Sequence, residues 1–360
     1  MGSGTPSGLL VRWGVRLMSA ILDVRALERF FDVRESRFGR TRRVVRAVDG
    51  VDLAVRERES MGVCGESGCG KTTLAYLIVG LLVPTSGTIH FRSRPTGAAG
   101  GAERTSDLTA ASRREWRGLR REIQIVFQNS EASLNPRRTV GASIADPLLI
   151  HRMASRRVSR VRVGELLSAV GLESNVARRF PSALSAGQRQ RVGIARALAP
   201  GPRLLVCDEP VSSLDSSVQA EILGLLADLR VGRGLTILLI AHNLLVLRNM
   251  TDRIAVMQRG RFVEQATTDE LFLRPRHPYT EKLLFSIPRM DEARGSAESG
   301  IAPSGVDSRQ VNGEGCRYRV ACRYAQAECE REDPRPREVT PDHVVACRRA
   351  DELTLSSPLP

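Results

Sequence analysis

Two short stretches hold residue types that do phosphate chemistry. The first is GESGCGKTT: Gly65, Glu66, Ser67, Gly68, Cys69, Gly70, Lys71, Thr72 and Thr73. It fits G-x-x-x-x-G-K-[ST] and lies between a strand-like and a helix-like run, the context such a loop needs. Glycines there let the backbone curl until successive N–H groups and the helix N-terminus converge on phosphate oxygens. Lys71 then reaches the β- and γ-phosphates of a nucleoside triphosphate, and the Thr72 hydroxyl can ligate Mg2+. The second stretch, LLVCDEP at 204–210, is an apolar run ending in two carboxylates. Asp208 suits the Mg2+ shell, and Glu209 suits a general base that orients the attacking water. A triphosphate cradle with a base beside it implies turnover as well as binding.

These groups need a rigid frame, and the surrounding pattern supplies one. The segments AILDVRAL, VVRAVDGVDLAV, SMGVCGESG and GTIHFRS read as strands, with a helix-compatible run from Thr72 to Leu82. SRPTGAAGGAERTSDLTAAS, at 93–112, reads as a surface loop. Residues 129–199 carry helix-forming patterns rich in Arg, and RLLVCDE and LTILLIAH are the near-continuous apolar runs of strands covered on both faces. Strands separated by helices predict an α/β core with the helical middle as an inserted subdomain. A Gly-, Ser- and Glu-rich linker is expected over 291–312. A small cysteine-bearing extension follows at 313–350 and a tail at 351–360, with residues 1–17 a loose N-terminal extension.

The chain has 360 residues and 42% apolar content, enough for a proper core. Its net charge is +14, yet only Lys71 and Lys282 are lysines, and the arginines are scattered without a dense basic run. Nucleic acid is therefore not the expected partner. No apolar run approaches the ~20 residues a spanning helix needs. Seven cysteines without a signal-like start argue against a disulfide framework and for a cytosolic location.

LSAGQRQR, at 184–191, closely resembles the LSGGQ signature of ABC-transporter ATPases, and further markers of that family follow in order. Gln128 in IVFQN is similar to the Q-loop residue that contacts Mg2+ and water and relays to the membrane partner. Ser212, Ser213, Leu214 and Asp215 resemble the D-loop, and His242, ending ILLIAH, the switch histidine on the γ-phosphate. Phe31 in LERFF resembles the aromatic that stacks on adenine. ASLNPRRTVG, RHPYTEKLLFSIP and the cysteine-bearing tail narrow the likeness to the peptide and nickel importer group, and within it to F-type subunits of oligopeptide and dipeptide importers.

The resemblance implies a P-loop NTPase core of the ABC ATPase kind, with a β-rich N-terminal subdomain, the helical insertion and a small C-terminal extension. It implies ATP and Mg2+ as ligands, and head-to-tail closure with a second, D-type ATPase. Ser185, Ala186, Gly187 and Gln188 would then grip the γ-phosphate of the partner's ATP. Two transmembrane permeases would receive the motion, and an extracytoplasmic binding protein would deliver substrate, so the chain is expected at the cytoplasmic face of the membrane. A nickel importer subunit and a regulatory ATP-binding subunit with weak hydrolysis are the alternatives.

Two residues depart from the family pattern. Asn243 follows His242 where Asp is usual, and Ala186 replaces the first signature glycine. The substitution is costly, on the order of 1 kcal/mol, if that position needs φ > 0 or close approach of phosphate, and nearly free if its backbone is ordinary. In the tail, Cys316, Cys322, Cys329 and Cys347 lack C-x-x-C spacing; either a [4Fe–4S] cluster or Zn2+ would staple so short a segment, with unliganded thiols the other possibility.

Overall fold

In the computed structural model, residues 20–34, 42–94, 103–128, 133–287 and 315–357 are described. The expected N-terminal extension, the linker and the first residues of the helical insert lie outside them. The chain opens with two long strands, β1 (Ala20–Arg34) and β2 (Arg42–Arg56), then β3 (Ser60–Cys64) and helix α1 (Lys71–Ile78). Next come β4 (Ser86–Ser93), β5 (Arg104–Asp107), α2 (Arg113–Glu122) and β6 (Ile123–Val126). The insert contributes α3 (Val140–Ile150), α4 (Arg156–Ala169) and α5 (Ala186–Leu198). After it run β7 (Leu204–Asp208), α6 (Ser216–Arg233), β8 (Thr236–Ile240), α7 (Leu244–Arg248), β9 (Arg253–Gln258) and β10 (Arg261–Thr267). The last elements are α8 (Thr268–Leu273), α9 (Pro278–Phe285), α10 (Glu328–Arg331), β11 (Arg337–Thr340) and β12 (His343–Val345).

Two sheets organise these elements. A four-stranded antiparallel sheet has the order β2-β1-β4-β5, and an eight-stranded sheet the order β11-β12-β10-β9-β3-β8-β7-β6. In the larger sheet β9, β3, β8, β7 and β6 run parallel. β3, β7 and β8 are buried along their whole length. Their side chains alternate between two cores: Leu205, Cys207, Ile237 and Leu239 pack toward the helical insert, while Leu204, Val206, Leu238 and Ile240 pack with Leu74, Leu77 and Ile78 of α1 and with the antiparallel sheet. A strand clothed on both faces has no polar side, which is why these segments read as unbroken apolar runs.

The stretch expected as one surface loop contains more order than its composition announces. Arg104–Asp107 pairs with β4 as an edge strand, and Ser112 opens α2 with a capping box in which Glu115 is the reciprocal partner. α1 begins at Lys71 and ends at Ile78, shorter than the apolar run around it. The C-terminal segment joins the main sheet: β12 pairs with β10, Glu264 opposite Val345, and the buried Glu264 carboxylate meets His343 Nε2 at 2.7 Å. A segment too short for its own core is thus built onto the edge of a larger one. No helix among the described residues is long and apolar enough to cross a membrane.

Candidate functional site

The phosphate loop is held against β9 and β2 so closely that two of its glycines have no substitute. A Cβ on Gly65 (φ 149°) would stand 2.1 Å from the Met257 carbonyl oxygen, and one on Gly70 (φ 113°) 2.0 Å from that of Ala47. Each combines a left-handed backbone with backbone contact, the two conditions that exclude a side chain. Lys71, the first residue of α1, is buried, and its ammonium donates to the carbonyls of Gly65 at 2.7 Å and Glu66 at 3.0 Å. Cys69 is buried in the same loop, its thiol pKa raised by burial.

At the ends of the parallel strands the remaining groups converge, as ligand sites of open α/β sheets do. The Thr72 hydroxyl donates to Asp208 Oδ1 at 3.1 Å. Burial, reinforced by the neighbouring Glu209 charge, pushes the Asp208 carboxyl up to about 6. Glu209 has φ 45° and donates its N–H to the Ile240 carbonyl at 3.0 Å, a turn that swings its side chain off the end of β7. Its Oε2 accepts from Gln128 Nε2 at 3.0 Å and lies 3.3 Å from His242 Nδ1; its Oε1 lies 3.9 Å from Lys71 Nζ. Gln128 follows β6 and His242 follows β8, so three strands separated in sequence deliver their ends to one carboxylate. Asn243 supplies the cap of α7, its Oδ1 accepting from Leu245 N at 2.9 Å.

The signature segment sits apart from this cluster. Ser185 caps α5 in a reciprocal box: its hydroxyl accepts from Gln188 N at 3.2 Å, and Gln188 Oε1 accepts from Ser185 N at 3.1 Å. Ala186 is the first helical residue, exposed and with no positive φ, so its backbone is ordinary and the methyl group strains nothing within this chain. Gly187 is the constrained position, because a Cβ on it would stand 2.6 Å from Val218 Cγ1 of α6. Among the described residues no hydrogen bond or ion pair joins 185–188 to 65–73. In the D-loop segment Ser212 ties back to the Glu209 carbonyl, Leu214 O accepts from Gln219 Nε2, and Ser213 is exposed. Asp215 caps α6 by accepting from Val218 N at 3.0 Å, a bond that lowers its pKa.

Phe31 is half-buried on β1 opposite Val45, two residues from the Ala47 carbonyl that abuts Gly70, with the Arg29 guanidinium 4.6 Å from its ring centre. Cys316, Cys322, Cys329 and Cys347 line one small cavity, together with Tyr318 and Arg349. Burial pushes the Cys316 and Cys347 thiols up to about 11. Among the described residues no group of three or more His, Cys, Asp or Glu side chains is arranged to hold a metal ion. The expectation of a cluster or zinc at these four thiols therefore finds no formed ligand set.

Sequence reasoning did not single out Tyr279 and Lys282, which both reach Glu66 of the phosphate loop, at 2.9 Å each. The segment RHPYTEKLLFSIP carries them, but nothing local in it announces a contact made more than two hundred residues away.

A strand-end carboxylate that gathers a glutamine and a histidine beside a glycine-built phosphate loop defines a nucleoside-triphosphate-hydrolysing P-loop domain. Comparison with known proteins narrows the class. Residues 48–212 match the ABC transporter family, and residues 263–329 match the oligopeptide/dipeptide transporter C-terminal region. Among solved structures, the chain is similar to the ATP-binding cassette MJ0796 in a dimeric post-hydrolysis state bound to ADP and phosphate, with a TM-score of 0.57 and 27% identity, over 69% of this chain and 98% of that one. It is similar to cbiO1 from Clostridium perfringens as well, with a TM-score of 0.57 and 28% identity, over 71% of this chain and 91% of that one. The oligopeptide transport ATP-binding protein AppF of Bacillus subtilis is 39% identical over 91% of this chain and 96% of its own length. OppF of Salmonella typhimurium, described in the same words, is 39% identical over 92% and 97%. The chain belongs to the ABC-transporter ATP-binding proteins, in the branch that carries the oligopeptide/dipeptide transporter C-terminal region.

Proposed function

We propose that this chain is the ATP-hydrolysing, energy-coupling subunit of a membrane importer for oligopeptides or dipeptides. The observation that carries the reading is the Glu209 carboxylate, 3.0 Å from Gln128 Nε2, 3.3 Å from His242 Nδ1 and 3.9 Å from Lys71 Nζ. Glu209 acts as general base, taking a proton from the water that attacks the γ-phosphorus, while Gln128 orients that water. Lys71 and His242 meet charge on the γ-phosphate as the bond to the β-oxygen breaks, and most of the rate comes from this prearranged electrostatics. Thr72 and Asp208 offer hard oxygen donors 3.1 Å apart, a fit for Mg2+. An ion held there would supply positive charge against the triphosphate. Phe31 stacks on the base.

The Ser185 helix start, with the N–H groups of Ala186 and Gly187, serves ATP held by a second, D-type ATPase. Closure of that pair is passed through the groove at Gln128 to two permeases, which an extracytoplasmic binding protein loads. The chain then sits peripherally at the cytoplasmic face of the membrane. A [4Fe–4S] cluster or Zn2+ held by Cys316, Cys322, Cys329 and Cys347 would draw the tail together. Their shared cavity supports it. An absorbance band at about 400 nm in anaerobically purified protein is expected for the cluster, and metal-free protein with an ordered tail would sink the idea.

The test of the function is peptide uptake by proteoliposomes holding the permeases and both ATPases. Uptake is expected to need ATP on this chain's side and to stop in the Lys71→Ala variant. Uptake of nickel in place of peptide, or full uptake by Lys71→Ala, would contradict the proposal.

A further inference from the structure

Helix α9 lies between the phosphate loop and the C-terminal extension and is bonded to both. Tyr279 and Lys282, three residues apart and so on one side of the helix, reach the same residue of the loop. The Tyr279 hydroxyl accepts from the Glu66 backbone N–H at 2.9 Å, and Lys282 Nζ lies 2.9 Å from Glu66 Oε1. The Glu66 carbonyl in turn takes the Lys71 ammonium at 3.0 Å. Tyr279 is thus one residue removed from the cation that faces the triphosphate.

The extension grips the same helix. Glu281, buried, accepts from Ser356 N at 3.0 Å and from the Tyr324 hydroxyl at 3.3 Å, and pairs with Arg323 at 3.0 Å. The Tyr279 ring, 1% exposed, is packed edge-on against Tyr318, with ring centres 5.4 Å apart. Tyr318 follows Cys316 by two residues and lies 5.9 Å from the His277 ring, whose Nδ1 accepts from Tyr279 N at 3.0 Å and caps the helix.

We propose that Tyr279 is a positioning residue for nucleotide: its hydroxyl holds the first turn of the phosphate loop through Glu66 so that Lys71 keeps its aim, and the C-terminal extension holds Tyr279 through Tyr318 and Glu281. The inference rests on the ATP reading above and deepens it, because it makes nucleotide affinity depend on the extension. Loss of this hold loosens binding more than it slows turnover, since Glu209, Gln128 and His242 are fixed by other strands and only the aim of Lys71 shifts.

The test is ATP binding by titration calorimetry on the full-length chain, with steady-state hydrolysis in the assembled complex. Tyr279→Phe is expected to weaken ATP binding about fivefold and raise KM in step, with a clearly smaller fall in kcat because Lys71 serves both. Lys282→Met, at a partly exposed position where folding is not at stake, is expected to weaken binding in the same sense. Tyr318→Leu, which removes no hydrogen bond to the loop among the described residues, is expected to do so as well, and its effect is expected to vanish in the Tyr279→Phe background. Wild-type affinity in both Tyr279→Phe and Lys282→Met, or a Tyr318→Leu effect that simply adds to that of Tyr279→Phe, would overturn the positioning role while leaving the ATP reading intact. Wild-type protein that binds no ATP would overturn both.

Discussion

Asp208 is a carboxylate kept where its charge is disfavoured. Its folded-state pKa is about 6 against an ordinary 3.8, with burial the main cause. The folded protein therefore holds a proton on Asp208 up to about pH 6, whereas the unfolded chain releases it near 4. Stability falls as pH rises through that window, by up to about 3 kcal/mol at pH 7.5. Asp208→Asn is expected to raise the thermal midpoint at pH 7.5, with the gain fading toward pH 4, and to abolish Mg2+-dependent hydrolysis. An equal or lower midpoint at pH 7.5 would show that the charge is already compensated. The two small signature residues part in the same way between function and packing. Ala186→Gly is expected to leave hydrolysis in the paired complex unchanged and to cost at most about 1 kcal/mol of stability, because Ala186 is an ordinary helical residue. Gly187→Ala is expected to be clearly destabilising, and Val218→Ala in the same chain to restore much of the loss, since the clash is with that one side chain.

At the scale of elements, what the chain spelled out and what it hid follow one rule. β3, β7 and β8 were legible because strands covered on both faces must be apolar throughout. The phosphate loop and the Asp208–Glu209 pair were legible because phosphate and metal chemistry admit few residue types. β5 was not, for RTSD is a polar edge strand defined by its pairing with β4 and by no pattern of its own. α2 was hidden by its charge, RREWRGLRRE having few apolar residues to mark a buried face, although Ser112 and Glu115 form its capping box. The Ser185–Gln188 box, by contrast, stands in the sequence with its own spacing. Ser185→Ala is expected to lower stability by about 1 kcal/mol, measured by denaturant unfolding. An unchanged midpoint would mean the α5 start is held by its packing alone.

Over the whole molecule, the long-range assembly is where sequence reading ran out, since no local signal couples Glu264 to His343 or Glu66 to Tyr279. The cysteine-bearing segment, expected as a small extension too short for a core of its own, supplies β11 and β12 to the main sheet and covers the edge of β10. Truncation before Arg337 is expected to lower the thermal midpoint and promote aggregation, because it bares that edge and strips His343 from the buried Glu264; an unchanged midpoint would show the extension to be ornamental. Hydrolysis depends above all on the convergence of three strand ends on one carboxylate. ATP hydrolysis by Glu209→Gln in the complete transporter, measured beside its ATP affinity, tests it most directly. Turnover on this chain's side is expected to fall at least about 100-fold with affinity retained. Wild-type turnover at that site would rule out Glu209 as the base, because no other described carboxylate meets Gln128, His242 and Lys71 together.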